Sequence, residues 1–323
     1  MLVRQLNSQL YYNRLLLPKG SYKRQLLYLC ISPRTNNNQV NARMAYEWNK
    51  DGLDLPGLPF DTFSWTGNTN LWKACQIFES NDIPRDVMIR LHETFLMFTR
   101  SAYISFTPEY YQYIAMDFPC KISTSLVSIG KSSLVSKIEL LSQKHGNKSL
   151  ACATYQVVAV DKGTRKSSII PDWLREANPE STTKPRPTMM SALEIPKDDV
   201  DVFKYEVTVV PSDTDLYGHC NQNTYIRYCT DTATVAARKE KLKDFQYDMV
   251  HYTAKDVSVI YSGECTIGAV LTVHCWEDLT DNNALFFIIK SKDETIFHCT
   301  INFYSSQPTE NANKSDDLAS ARL

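Results

Sequence analysis

The feature that most restricts the fold is a repeated order of elements along the 323 residues. A strand-like run, a loop, a helical run and several long strand-like runs occur, and then the same order recurs. In the first pass, residues 40–48 read as a strand and 51–59 as a loop marked by Gly52, Pro56, Gly57 and Pro59. Asn68, Thr69 and Asn70 offer N-caps to a helix whose Leu71, Trp72, Cys75 and Phe78 fall at helical spacing. Residues 81–107 are variable in character, and from about Tyr110 the chain becomes strand-like, with runs at 121–130, 133–141 and 149–160. In the second pass, 203–210 reads as a strand and 224–241 as a helix. That helix sets Tyr225, Tyr228, Cys229, Thr232, Ala233 and Ala236 on one face, and strands follow at 256–261, 269–276, 283–290 and 295–304. A helix followed by antiparallel strands packs best with the sheet wrapped around it. The expectation is an α+β chain in which two copies share one long antiparallel β-sheet around central helices. Residues 127–134 align with 260–267, which sets Lys131 against Glu264 and Ser132 against Cys265.

These runs divide the chain into a basic leader (1–40), a first copy (41–170), a proline-bearing linker (171–200), a second copy (201–305) and a polar tail (306–323) expected to be disordered. Residues 1–46 hold no Asp or Glu but carry Arg4, Arg14, Lys19, Lys23, Arg24, Arg34 and Arg43. Such a leader suits mitochondrial targeting; the alternatives are a disordered basic extension on a cytoplasmic protein, or an upstream region that is not translated. The formal net charge of -1 gives no electrostatic basis for nucleic acid as a partner. No apolar run approaches the ~18 residues of an integral membrane helix. Nine cysteines at irregular spacing, with no C-x-x-C pair, read as reduced thiols. No metal site is expected, since His219 and Cys220 are adjacent and no second cluster has ligand spacing.

The polar chemistry is concentrated in Ser212-Asp-Thr-Asp-Leu-Tyr-Gly-His-Cys-Asn-Gln-Asn-Thr-Tyr225, between a strand and a helix. A helix N-terminus points free N–H groups at its approach, and a glycine lets a ligand come close to the main chain. The same residues have plainer readings: Asp213 as a turn or capping carboxylate, Asn221 and Asn223 as caps, Cys265 as a buried strand cysteine. His251, His274 and His298 have no partner motif and read as structural. The first copy has no Asp-x-x-Gly-His ahead of its helix, so the chemistry belongs to the second.

This motif resembles that of the hotdog-fold acyl thioesterases, above all the acyl-ACP thioesterases, which carry two hotdog repeats in one chain. The motif of that family runs Asp-x-Asp-x-Asn-x-His-x-Asn with a Tyr opening the helix, and Asp213, Asp215, His219, Asn221 and Tyr225 match it. Gly218 resembles instead the glycine of the 4-hydroxybenzoyl-CoA thioesterase group. A Glu-Cys pair on a later strand is matched by Glu264 and Cys265, while Tyr217 departs from the family's Asn.

The resemblance implies a tandem hotdog and hydrolysis of fatty acyl thioesters on CoA or acyl carrier protein, without a cofactor. Asp215 is then nucleophile or base, His219 binds the thioester or shuttles a proton, and Glu264 activates water. Gly218, Asn221 and Asn223 hold the substrate or its oxyanion. Cys265 is the rival nucleophile, in a Cys-His arrangement. The acyl chain would lie in an apolar tunnel lined by Leu71, Trp72, Cys75 and Phe78, and the chain would form a homodimer. A non-catalytic acyl-thioester-binding protein is the alternative function, and a hotdog dehydratase a third.

Overall fold

In the computed structural model, the middle of the sheet is a strand that alternation does not mark, β3 (Phe95–Phe106). The structure describes residues 47–49, 52–55, 62, 64, 68–79, 83–114, 119–187, 189–197, 200–215, 218–278 and 280–307. Most of the 40–48 run and the leader therefore lie outside the described residues, as does most of the 306–323 tail.

The first half contains β1 (Glu47–Asn49) and β2 (Gly52–Leu55), then the helices α1 (Leu71–Glu79) and α2 (Arg85–Thr94). After β3 come the short helix α3 (Pro108–Tyr113) and strands β4 (Cys120–Ile129), β5 (Ser133–Ser142) and β6 (Lys148–Asp161). The proline-bearing segment carries two short helices, α4 (Asp172–Ala177) and α5 (Pro179–Thr183). The second half contains β7 (Phe203–Thr208), α6 (Gln222–Arg238), β8 (Ala254–Tyr261), β9 (Val270–Glu277), β10 (Ala284–Ser291) and β11 (Glu294–Phe303).

Among the described residues, eleven strands form one sheet in the order β1-β2-β4-β5-β6-β3-β8-β11-β10-β9-β7. Every pairing is antiparallel. Reading inward from each end, the two halves share one plan. Apart from β1, an added edge on the first half, the strand before the helix (β2 or β7) comes first, three consecutive strands follow, and the strand after the helix (β3 or β8) reaches the centre. The seam is β3 against β8, with Ser101 opposite Ile260 and Ser105 opposite Asp256.

This topology corrects the local alignment of the copies. The counterpart of β8 is β3, so the residues after β8 correspond to the turn into α3, not to the β4–β5 hairpin that holds Lys131. Lys131 and Glu264 are therefore not equivalent positions.

The helices α1 and α6 run antiparallel. Glu79 at the end of α1 meets Asn223 at the start of α6, while Leu71 and Trp72 lie beside Thr230, Asp231 and Thr234. Cys75 and Phe78 of α1 are fully buried, as are Cys229, Thr232, Ala233 and Ala236 of α6. The expected apolar face of α6 is the face that packs, with Tyr225 stacked on Phe297 of β11 at 5.2 Å. Burying such large apolar side chains contributes about 1.5–3 kcal/mol each. It holds the N-terminus of α6 in place against the sheet.

Candidate active site

Asp213 anchors the motif. It sits at the end of a short 3-10 turn (Pro211–Asp213) and is buried. Its Oδ2 accepts from the Val210 N–H at 2.9 Å and the Tyr228 hydroxyl at 2.7 Å. Its Oδ1 takes a close ion pair from Arg227. Its carbonyl also accepts from the Asn221 N–H at 2.8 Å. A buried carboxylate needs hydrogen-bond donors on its oxygens, and both oxygens of Asp213 have them. Asp213 is thus a capping and clamping group that ties the turn to the first turns of α6.

Past Asp213 the chain folds back on itself. Thr214 pairs with Cys220, the Asp215 N–H donates to the His219 carbonyl at 2.8 Å, and the Gly218 N–H donates to the Asp215 carbonyl at 3.1 Å. Gly218 takes φ +76°, and a Cβ there would meet nothing within 4 Å. The glycine is needed for its backbone conformation, not for space. The Asp215 side chain is exposed and accepts from the His219 N–H at 3.2 Å.

The returning strand lies against the segment after β8. His219 bridges to Thr266, and the Cys220 N–H donates to the Cys265 carbonyl at 2.8 Å. This register brings the His219 imidazole to Glu264, with Nδ1 3.5 Å from Oε2. Gly263 makes the approach of that segment feasible, since a Cβ there would sit 2.9 Å from the Ile296 side chain. Asp215, His219 and Glu264 therefore share one surface, Asp215 through the backbone of His219 and Glu264 through its side chain.

Asn221 is the N-cap of α6, and its side chain accepts from the Asn223 N–H at 3.0 Å. Asn223 is buried, and its amide donates in a close contact to Glu79 of α1. The backbone N–H groups of Gly218, Asn221 and Asn223 thus all donate within the turn. Cys265 lies beneath the surface, 5% exposed, with the Tyr225 hydroxyl 3.1 Å from its sulfur. The Cys220 thiol and the Tyr225 hydroxyl both reach its sulfur and hold the Cys265 thiol below the usual range. The contact with Cys265 and burial push Cys220 far up.

Two participants come from the first half and are not marked in the sequence. Arg165, in the turn after β6, donates to Glu264 at 3.2 Å (Oε2) and 3.5 Å (Oε1). Asp161 caps that turn through the N–H groups of Gly163 and Thr164. Arg165 takes a left-handed φ of 57° and stands over the Phe98 ring at 5.1 Å. Glu79 is the other participant. They lie 99 and 144 residues from their partners, so no local pattern signals them.

Along the antiparallel helices a small cleft of about 70 Å³ opens, lined by Leu71, Trp72, Thr230, Asp231, Thr234 and Tyr252 among others. By helical rise, Thr230 and Thr234 lie about 10–17 Å along α6 from Asn223.

No family model matches the chain, and no curated protein matches it by sequence. Solved structures do. A protein described as an oleoyl thioesterase from Lactobacillus plantarum superposes with a TM-score of 0.64 at 15% identity, covering 83% of this chain and 99% of that one. The 12:0-ACP thioesterase from Umbellularia californica gives 0.59 at 12% identity, over 78% and 96% of the two chains. An acyl-ACP thioesterase from Bacteroides thetaiotaomicron gives 0.55 at 12% identity, over 77% and 96%. The chain has the fold of the hotdog-fold thioesterases that its motif resembles.

Proposed function

We propose that this chain is a tandem hotdog that hydrolyses fatty acyl thioesters carried on CoA or acyl carrier protein. One site per chain lies on the second repeat. The contact between His219 and Glu264 carries the reading, because it joins the motif to a carboxylate 45 residues away in the sequence. The repeated strand plan, meeting at β3 and β8, supports the two-repeat reading.

In this reading Glu264, with its side chain 44% exposed, takes a proton from a water molecule whose oxygen attacks the thioester carbonyl. His219 orients that carboxylate and returns a proton to the departing thiolate. Asp215 fixes the turn that presents His219. The oxyanion rests at the positive end of α6, near Gly218, Asn221 and Asn223, and is stabilised by the helix dipole, since those three N–H groups are engaged in the turn. Water attack is favoured over a Cys265 nucleophile by two observations: Cys265 is buried, and its partners are Tyr225 and Cys220. The acyl chain runs between α1 and α6. The cleft there is smaller than the ~300 Å³ typical of ligand pockets, so Leu71 and Trp72 move aside when a long chain binds.

Turnover of a panel of acyl-CoAs and acyl carrier proteins, followed by release of free thiol, tests the reading. Binding of acyl-CoA without release of thiol on any chain length would instead establish the non-catalytic alternative. The basic leader supports mitochondrial delivery, checked by imaging a tagged chain with and without residues 1–46. Assembly as a homodimer is supported by the exposed Val210, Ile267 and Val270 beside the edge strand β7, and is checked by light scattering.

A further inference from the structure

We propose that Cys220 and Cys265 are a modification site, joined in a reversible disulfide by a hydroperoxide. The two cysteines are direct cross-strand partners. His219 pairs with Thr266, which sets Cys220 opposite Cys265, and the Cys220 N–H donates to the Cys265 carbonyl at 2.8 Å. Opposed residues of an antiparallel pair project to one face with Cβ atoms about 4.5–5.5 Å apart. A disulfide needs about 3.5–4.5 Å, so a small approach of two short segments closes the bond.

Among the described thiols, mutual contact and access together separate this pair, since Cys152 is more exposed but burial raises its thiol. Cys229 and Cys299 are also in mutual contact, but both are 0% exposed, whereas Cys220 and Cys265 are 8% and 5% exposed. Burial pushes the thiols of Cys75, Cys229 and Cys275 well up. Donors at Cys265 favour its thiolate instead, and the thiolate is the form that attacks.

The chemistry balances with a hydroperoxide as the oxidant. The Cys265 sulfur attacks the terminal peroxide oxygen. An S–O bond forms, the O–O bond breaks, and the departing oxygen leaves as water or alcohol after taking the thiol proton. Cys220 sulfur then attacks the Cys265 sulfenic acid. The S–S bond forms, the S–O bond breaks, and hydroxide leaves as water with the Cys220 proton. Two thiols lose two electrons, and the peroxide gains them. The disulfide ties the turn bearing His219 to the residue that follows Glu264. None of this depends on thioester hydrolysis.

The test uses the full chain treated with hydrogen peroxide in small molar excess, then mapped by peptide mass spectrometry without reduction. The expected result is a cross-linked peptide pair containing Cys220 and Cys265, lighter by two hydrogens and restored by dithiothreitol. Cys220→Ser should instead leave a sulfenic acid on Cys265, trapped by dimedone. A Cys229–Cys299 linkage, oxidation spread over single cysteines, or untouched Cys220 and Cys265 under peroxide that oxidises Cys152 would each overturn the proposal. The wild-type map decides by itself should a variant fail to fold.

Discussion

The guanidinium of Arg165 and the carboxylate of Glu264 meet at 3.2 Å across 99 residues of sequence, the first half of the sheet reaching into the candidate site of the second. The oxygen that receives Arg165 also faces His219 Nδ1. Both partners of the ion pair are nearly half exposed, so the pair adds only about 0.2–1 kcal/mol. Its value lies in where it holds Glu264. Arg165→Gln should lower turnover about two- to fivefold and Arg165→Lys less. In a Glu264→Gln background, Arg165→Gln should cost nothing more, the mark of two residues acting as one unit. Steady-state kinetics of the four chains of this double-mutant cycle measure it.

Loss of the groups proposed to react should cost far more. Glu264→Gln and His219→Ala should each lower kcat by about 10²–10⁴, the range for general acid–base groups, with the circular dichroism spectrum unchanged. Asp215 fixes the turn through the His219 N–H, so Asp215→Ala should cost less than either, and Asp215→Asn, which keeps an acceptor oxygen, less still. Cys265→Ser should be mild, and a collapse of turnover there would favour the Cys-His route.

Asp213 should act on stability. Asp213→Ala leaves Arg227, the Tyr228 hydroxyl and the Val210 N–H without their acceptor. Arg227 is itself partly exposed, so the cost comes from the donors left without their acceptor, about 1–3 kcal/mol. Urea denaturation should show a lower midpoint with an unchanged slope.

Acid should weaken the fold before it protonates most carboxylates. Burial lowers the pKa of His92, His274 and His298, and nearby cations add to it: Lys162 for His92, Lys204 and Lys290 for His274, Arg100 for His298. Between each lowered value and the unfolded value of about 6.5, the unfolded chain binds more protons than the folded one. Stability therefore rises with pH in that window and is lost as pH falls through it. Thermal unfolding from about pH 7 to about pH 5.5 should register a falling Tm. His298 Nδ1 accepts from the Leu193 N–H at 3.2 Å, so faster exchange of the Leu193 amide should accompany the loss.

Much of this architecture is written in local pattern. The buried stripe of α6 recurs at helical spacing, and β5, β6, β10 and β11 were placed within a residue or two because long β-branched and aromatic runs end at clear turns. Strand β3 escaped because it follows α2 with no intervening turn and carries Arg100, and because its burial does not alternate along its first half. The candidate site is legible in the sequence only as far as the motif and Glu264, which the fold sets side by side. Asp213 is the turn-capping carboxylate and Asn221 the cap that the sequence suggests, whereas Asn223, also read as a cap, gives its amide to Glu79. Arg165 and Glu79 escaped because long-range pairing sets them, and a turn arginine or a helix-end glutamate is ordinary in isolation.

The seam between β3 and β8 has a bearing on how the molecule can be divided. Each half ends its sheet on that strand, so a chain severed in the α5–β7 connection would yield two fragments, each with a long unpaired edge. Exposed edges of that kind recruit other strands. Made separately, the fragments should aggregate or pair with copies of themselves. Made together, they should find one another and rebuild the sheet, because the connecting residues act as a tether and the hydrogen-bonded ladder supplies the joint.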